Sequence, residues 1–236
     1  MIHDPFSEDS FWFDEPDWTP DSLNSEDDFG LSPTTDQWGW DEWGELCVFR
    51  PQGYEPCYRY PLLVWLSVDE SPDQTLRDWF PDVSDRNYLA VGIPLRREAN
   101  LVQNAELVAT SIREVSALYG IHSDRIWIAG TGAAAEWASW LLPHLSSVVA
   151  GLVAIAPWLD DPLDQPALQA ATGKQLFLVT AEDDSAELAK SFAEYWEMCA
   201  GDFTMITVNS LEKSRIEICR ELNLWLMKQV CSISRS

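Results

Sequence analysis

Histidine is scarce in this chain: His3, His122 and His144 are the three present, and none follows His144. Positive charge is scarce as well, with 15 Lys and Arg against 39 Asp and Glu and a formal net charge of −24. No local basic patch interrupts this excess, which excludes nucleic acid and anionic membrane surfaces as expected partners. Long apolar runs are missing too, and nothing approaches the roughly 18 residues that suggest a membrane span. The opening "MIHDPFSEDS" has neither the basic nor the apolar region of a secretory signal, so a soluble, cytoplasmic protein is expected. The five cysteines (Cys47, Cys57, Cys199, Cys219 and Cys231) form no CxxC pair and have no histidine at ligand spacing. Reduced, partly buried thiols are therefore expected, with no metal site and no cofactor.

What is present falls into two parts. Residues 1–45 hold 14 acidic residues and no Lys or Arg, interleaved with nine aromatics: Phe6, Phe11, Trp12, Phe13, Trp18, Phe29, Trp38, Trp40 and Trp43. Neither a helical nor a strand period organises them, and such a composition marks a segment expected to be partly disordered. Its aromatics either dock on the rest of the chain or bind a partner; clusters of large aromatics are seldom left exposed, which favours docking.

From residue 46 to 236 the pattern is one of alternating strand and helix signals, as in a single domain. "PLLVWLSV" (61–68), "NYLAVGIPL" (87–95), Ile126–Ala129, "SVVAGLVAIA" (147–156), "KQLFLVT" (174–180) and "FTMITV" (203–208) are short apolar runs of the kind covered on both faces. Between them, "TLRDWF" reads as a short helix ended by Pro81. Asn100 reads as the cap of a helix that closes at Gly120, "SAELAKSFAEYWEMCA" as a further helix, and 215–230 as a closing amphipathic one. Parallel strands need long crossovers, so this alternation predicts an α/β fold with a doubly wound, mainly parallel sheet.

The stretch "HSDRIWIAGTGAAAEWA" runs a strand into a Gly turn and an Ala-rich helix. It resembles the nucleophile elbow of the α/β-hydrolase superfamily. "GYEPCYRYPLLVWLSVDE", "GLVAIAPWLD" and "LFLVTAEDD" resemble, in order, that family's strand into the oxyanion loop, the strand after the elbow, and the strand that delivers the triad acid. About 185 residues share the likeness, which is strongest to the small carboxylesterase/phospholipase (esterase) branch. It implies an α/β-hydrolase fold and ester-hydrolase ancestry.

Mapped residue by residue, the resemblance puts Gly130 at the first elbow glycine, Thr131 at the variable position, Gly132 at the nucleophile, and Ala133 and Ala134 at the small positions behind it. The oxyanion "HG" falls on Ser67-Val68. Asp184 falls near the acid position, with Glu182 and Asp183 as neighbouring choices. The base should follow the last strand, in "NSLEKS" (209–214), and no histidine is there. The hydroxyls of Ser67, Thr131 and Ser139 have no recognisable base, and an unactivated hydroxyl is a poor nucleophile. Glycine at the apex fits a turn whose strained backbone no longer serves chemistry. Gly132 and Asp184 are thus expected to be vestigial, with no working catalytic residue. The expected function is a non-catalytic binding protein for a small molecule or a protein. An active carboxylic-ester hydrolase with an atypical site is the alternative, and an adaptor working through its acidic aromatic segment is a third reading. Composition gives no oligomeric state.

Overall fold

The computed structural model describes residues 39–43, 46–68, 71–84, 86–157, 172–181, 193–194, 196–197 and 201–233. Within them the elements follow the sequence periods closely. The strands are β1 (Gly39–Trp43), β2 (Leu46–Arg50), β3 (Tyr60–Ser67), β4 (Leu89–Pro94), β5 (Ile121–Thr131), β6 (Gly151–Ile155), β7 (Gln175–Ala181) and β8 (Asp202–Val208). The helices are α1 (Pro72–Val83), α2 (Leu101–Leu118), α3 (Ala133–Leu141) and α4 (Arg215–Ile233), with a 3₁₀ turn at Leu142–Leu145.

The strands form one sheet in the order β1-β2-β4-β3-β5-β6-β7-β8. From β4 to β8 every pairing is parallel, while β1 and β2 join antiparallel at one edge. Every residue of β3 and of β6 is buried, as continuous apolar strands require when helices cover both faces. Alternation along the strands divides the core in two. Leu62, Val64, Ile128 and Leu152 pack with α2 and α3 on one face. Leu63, Trp65, Trp127 and Phe177 pack with Leu76 and Phe80 of α1 and Leu222 and Trp225 of α4 on the other. The doubly wound, mainly parallel sheet expected from the sequence is the architecture observed.

Two local expectations change. Helix α1 does not stop at Pro81 but runs to Val83. Proline there forfeits one helical N–H near the end of the helix, and the Ser84 N–H still closes the last turn on the Phe80 carbonyl at 3.2 Å. The second change is at the sheet edge, where β1 is drawn from the acidic aromatic segment. Its Trp40 packs edge-on against Phe49 at 5.1 Å and carries the Arg77 guanidinium over its ring at 4.5 Å. One of the nine aromatics thus docks on the sheet; Phe6, Phe11, Trp12, Phe13, Trp18, Phe29 and Trp38 lie outside the described residues.

Candidate functional site

In a parallel sheet all strands point their C-terminal ends one way, and ligand sites of open α/β sheets gather there. At that end β5 finishes at Thr131, in register with Ile155 of β6. The chain then reverses at Gly132, whose φ of 54° and ψ of −122° lie where a residue with a Cβ is strained. The Gly132 N–H donates to the Ile155 carbonyl at 2.9 Å, and its carbonyl accepts from Ala135 N–H (3.1 Å) and Glu136 N–H (3.2 Å), which starts α3.

Gly130 is required for a different reason. A Cβ on it would stand 2.5 Å from the Ala134 carbonyl carbon and 2.7 Å from the Ala135 nitrogen, so α3 folds back directly onto the strand. The small buried Ala134 and Ala135 serve the same close approach. Strand, Gly-Thr-Gly turn and helix therefore have the shape of a nucleophile elbow, with hydrogen in place of a side chain at its apex.

Around the apex, Ser67 ends β3 and is 3% exposed, and its hydroxyl has no hydrogen-bond partner among the described residues. The pairing of Trp65 with Ala129 sets Ser67 about level with Thr131 on the adjacent strand. Its carbonyl accepts from Leu95 N–H at 2.8 Å. Ala156, just past β6, has φ 45°, a second left-handed backbone at this end of the sheet, with its N–H on the Val179 carbonyl at 2.8 Å. The Ser139 hydroxyl is occupied within α3, donating to the Ala135 carbonyl at 3.0 Å. Glu136 carries no sequence signal of a site. It is a carboxylate buried to 8% exposure in the first turn of α3, where the helix N-terminus favours negative charge.

The structure does not bring a described histidine to this place. His122 follows Ile121, which is level with Tyr60 of β3, so about eight strand positions, roughly 26 Å, separate it from the level of Gly132. Burial, assisted by the nearby Arg125, depresses its basicity. His144 is exposed in the 3₁₀ turn, beyond the far end of α3 and about 18 Å from Gly132 by helical rise. Asp184, with Glu182 and Asp183, lies outside the described residues just after β7, and His3 is outside them also. The 209–214 connection turns almost at once into α4, with Ser214 N–H on the Ser210 carbonyl (3.0 Å) and Ile218 N–H on the Ser214 carbonyl (2.9 Å).

Among the described residues no three His, Cys, Asp or Glu side chains cluster as a metal site would require. Cys47 and Cys219 are buried free thiols, each pushed up to about 12 chiefly by burial, and Cys57 and Cys231 are exposed free thiols. The Cys47 thiol also donates to Asp73 Oδ1 at 3.1 Å, which holds its proton further. No described helix is long and apolar enough to cross a membrane. A cavity of about 300 Å³, lined by Tyr58, Tyr60, Arg86, Tyr88 and Met227, opens at the beginnings of β3 and β4, the end of the sheet opposite Gly132.

No protein-family profile matches the sequence, and no curated protein does. Solved structures do match the fold. One of two fungal esterases from Rhizomucor miehei aligns with a TM-score of 0.61 at 13% identity, covering 84% of each chain. A bacterial heroin esterase aligns at 0.59 and 13%, over 83% of this chain and 87% of its own. The feruloyl esterase module from Clostridium thermocellum aligns at 0.57 and 10%, over 82% and 89%. The chain has the α/β-hydrolase fold.

Proposed function

We propose that this α/β-hydrolase-fold chain is a relative of carboxylesterases and phospholipases that has lost catalysis and works by binding a small molecule or a protein. The observation that carries the reading is Gly132 at the elbow apex, in a left-handed backbone conformation, with no oxygen where an acyl group would be attacked. Three further features support it. No histidine follows His144, so none stands after β8; the described histidines are far from the apex; and Ser67-Val68 replace the expected His-Gly. A buried Ser67 hydroxyl beside two left-handed backbone turns leaves a polar end of the sheet able to hold a ligand without transforming it. The acidic balance and reduced cysteines support a cytoplasmic setting.

The test is direct. The purified chain is expected to hydrolyse short-chain acyl esters no faster than buffer and to take no label from a serine-directed fluorophosphonate. Stoichiometric labelling, mapped by mass spectrometry to Ser67, Thr131 or Ser139, would establish instead a hydrolase with an atypical nucleophile.

A further inference from the structure

We infer that the cavity at the beginnings of β3 and β4 is a binding site for a free amino acid with a large apolar side chain, separate from the elbow end of the sheet. Its volume, about 300 Å³, is at the lower end of the range that small-molecule sites occupy. The lining divides by depth. Tyr60 and Tyr88 are buried and Met227 half-buried, which gives an aromatic and apolar floor, while Glu55, Tyr58 and Arg86 are exposed at the rim.

The floor is braced by its own rings. Tyr60 stacks on Tyr54, with 5.3 Å between ring centres, and meets Tyr58 in a T-shaped contact at 4.7 Å. Tyr54 in turn meets Tyr119, whose hydroxyl donates to Asp41 Oδ2 at 2.7 Å. With Tyr88, five of the chain's six tyrosines collect at this end of the sheet. Rings that fix one another lose little freedom on binding, so an apolar group meets a prepared surface. One polar atom there is unsettled. The hydroxyl of Tyr88, a residue only 1% exposed, has no hydrogen-bond partner among the described residues. A buried hydroxyl in that state is costly, and a polar group of an occupant that reached it would offset the cost.

Charge narrows the occupant. A lone anion is opposed by the chain's net charge of −24, and a lone cation by Arg86 at the rim. A zwitterion meets neither obstacle. Glu55 sits on the α2 side of the sheet, since its N–H donates to the Tyr60 hydroxyl at 3.0 Å and Tyr60 packs in that layer. Arg86 follows α1 on the other side, in a turn where the Ser84 hydroxyl accepts from the Arg86 and Asn87 N–H groups at 3.4 and 3.2 Å. Carboxylate and guanidinium thus flank the cavity from opposite layers, on side chains long enough to converge on one small molecule. A guanidinium has five N–H donors, so a ligand carboxylate can join the contacts that Arg86 already makes. The ligand's carboxylate falls to Arg86, its ammonium to Glu55, and its side chain to the tyrosine and methionine floor.

Isothermal titration calorimetry on the full chain, with L-phenylalanine as the probe, tests this. Saturable binding is expected. Hydrocinnamate lacks the ammonium, phenethylamine lacks the carboxylate and glycine lacks the ring. Each is expected to bind roughly tenfold more weakly or worse, as loss of one charged hydrogen bond or of the buried ring implies. Arg86→Gln and Glu55→Gln should each weaken L-phenylalanine to a similar degree, and circular dichroism melts establish that both variants are folded. Absence of saturable L-phenylalanine binding would overturn the proposal, as would equal binding of any of the three truncated probes. Binding that survives both substitutions would overturn it too, and its loss in Ser67→Ala would then place the ligand at the elbow end.

Discussion

Gly132→Ser adds a Cβ and a hydroxyl to a residue held at φ 54°, and the two additions have separate consequences. The Cβ is expected to lower stability by about 1–3 kcal/mol if the turn keeps its angles, a loss that urea unfolding would read. The hydroxyl is expected to bring no esterase activity, because no described histidine can take its proton and serine stays protonated near neutral pH. Robust turnover by this single variant would reveal a base elsewhere. The buried thiols act at the same scale. Cys47 and Cys219 are raised from an ordinary 9.0 to about 12, so in the folded chain both remain neutral at pH 8 and are expected to resist iodoacetamide, while exposed Cys57 and Cys231 are alkylated. The sign for stability follows. A thiol whose proton is held more tightly in the folded state contributes fully below pH 9 and loses that contribution as pH rises toward 12, so thermal stability should fall across that interval.

Among the elements, α2 shows how a few residues specify a boundary. Asn100 accepts from Gln103 N–H at 2.9 Å while Gln103 Oε1 accepts from Asn100 N–H at 3.0 Å, a reciprocal cap. Asn100→Ala is expected to cost about 0.5–2 kcal/mol in chemical denaturation, with little change in the sheet. This cap was legible in the sequence because it is built from local residues, as were β3, β6 and β7, whose apolar runs mean burial on both faces. Other features depend on partners distant in the chain. That α1 passes through Pro81 depends on how little the last turn needs one N–H. β1 is short and acidic and exists because it pairs with β2 and because Arg77 stacks on Trp40. The strand, Gly-Thr-Gly turn and helix could be read from local residues, and their likeness to a nucleophile elbow from the family resemblance, but the burial of Glu136 could not, since a carboxylate in the first turn of a helix usually faces water.

At the scale of the whole molecule, ester hydrolysis on this fold requires three separated segments to meet at one end of the sheet: the elbow after β5, an acid after β7 and a base after β8. The sheet order sets the distances. Three strand intervals separate β5 from β8, so Val208 stands about 14 Å across the sheet from the level of the elbow. Only Asn209 lies between β8 and Ser210, whose carbonyl already accepts from Ser214 in the turn that leads into α4. Two residues of extended chain span about 7 Å at most, and the remainder would fall to a histidine side chain aimed straight across the sheet. The missing base is therefore more than a side chain to be restored, because the turn into α4 already fixes the backbone that would have to aim it across the sheet. Gly132→Ser combined with Ser210→His is accordingly expected to stay at the buffer rate with acyl esters and to take no fluorophosphonate label, although a serine and a histidine are then both present. Lengthening the connection after Val208 would release the backbone from that turn. Labelling of the introduced hydroxyl at position 132 in the double variant, but not in Gly132→Ser alone, would show that the short connection reaches the elbow after all, and would narrow the loss of catalysis to two substitutions.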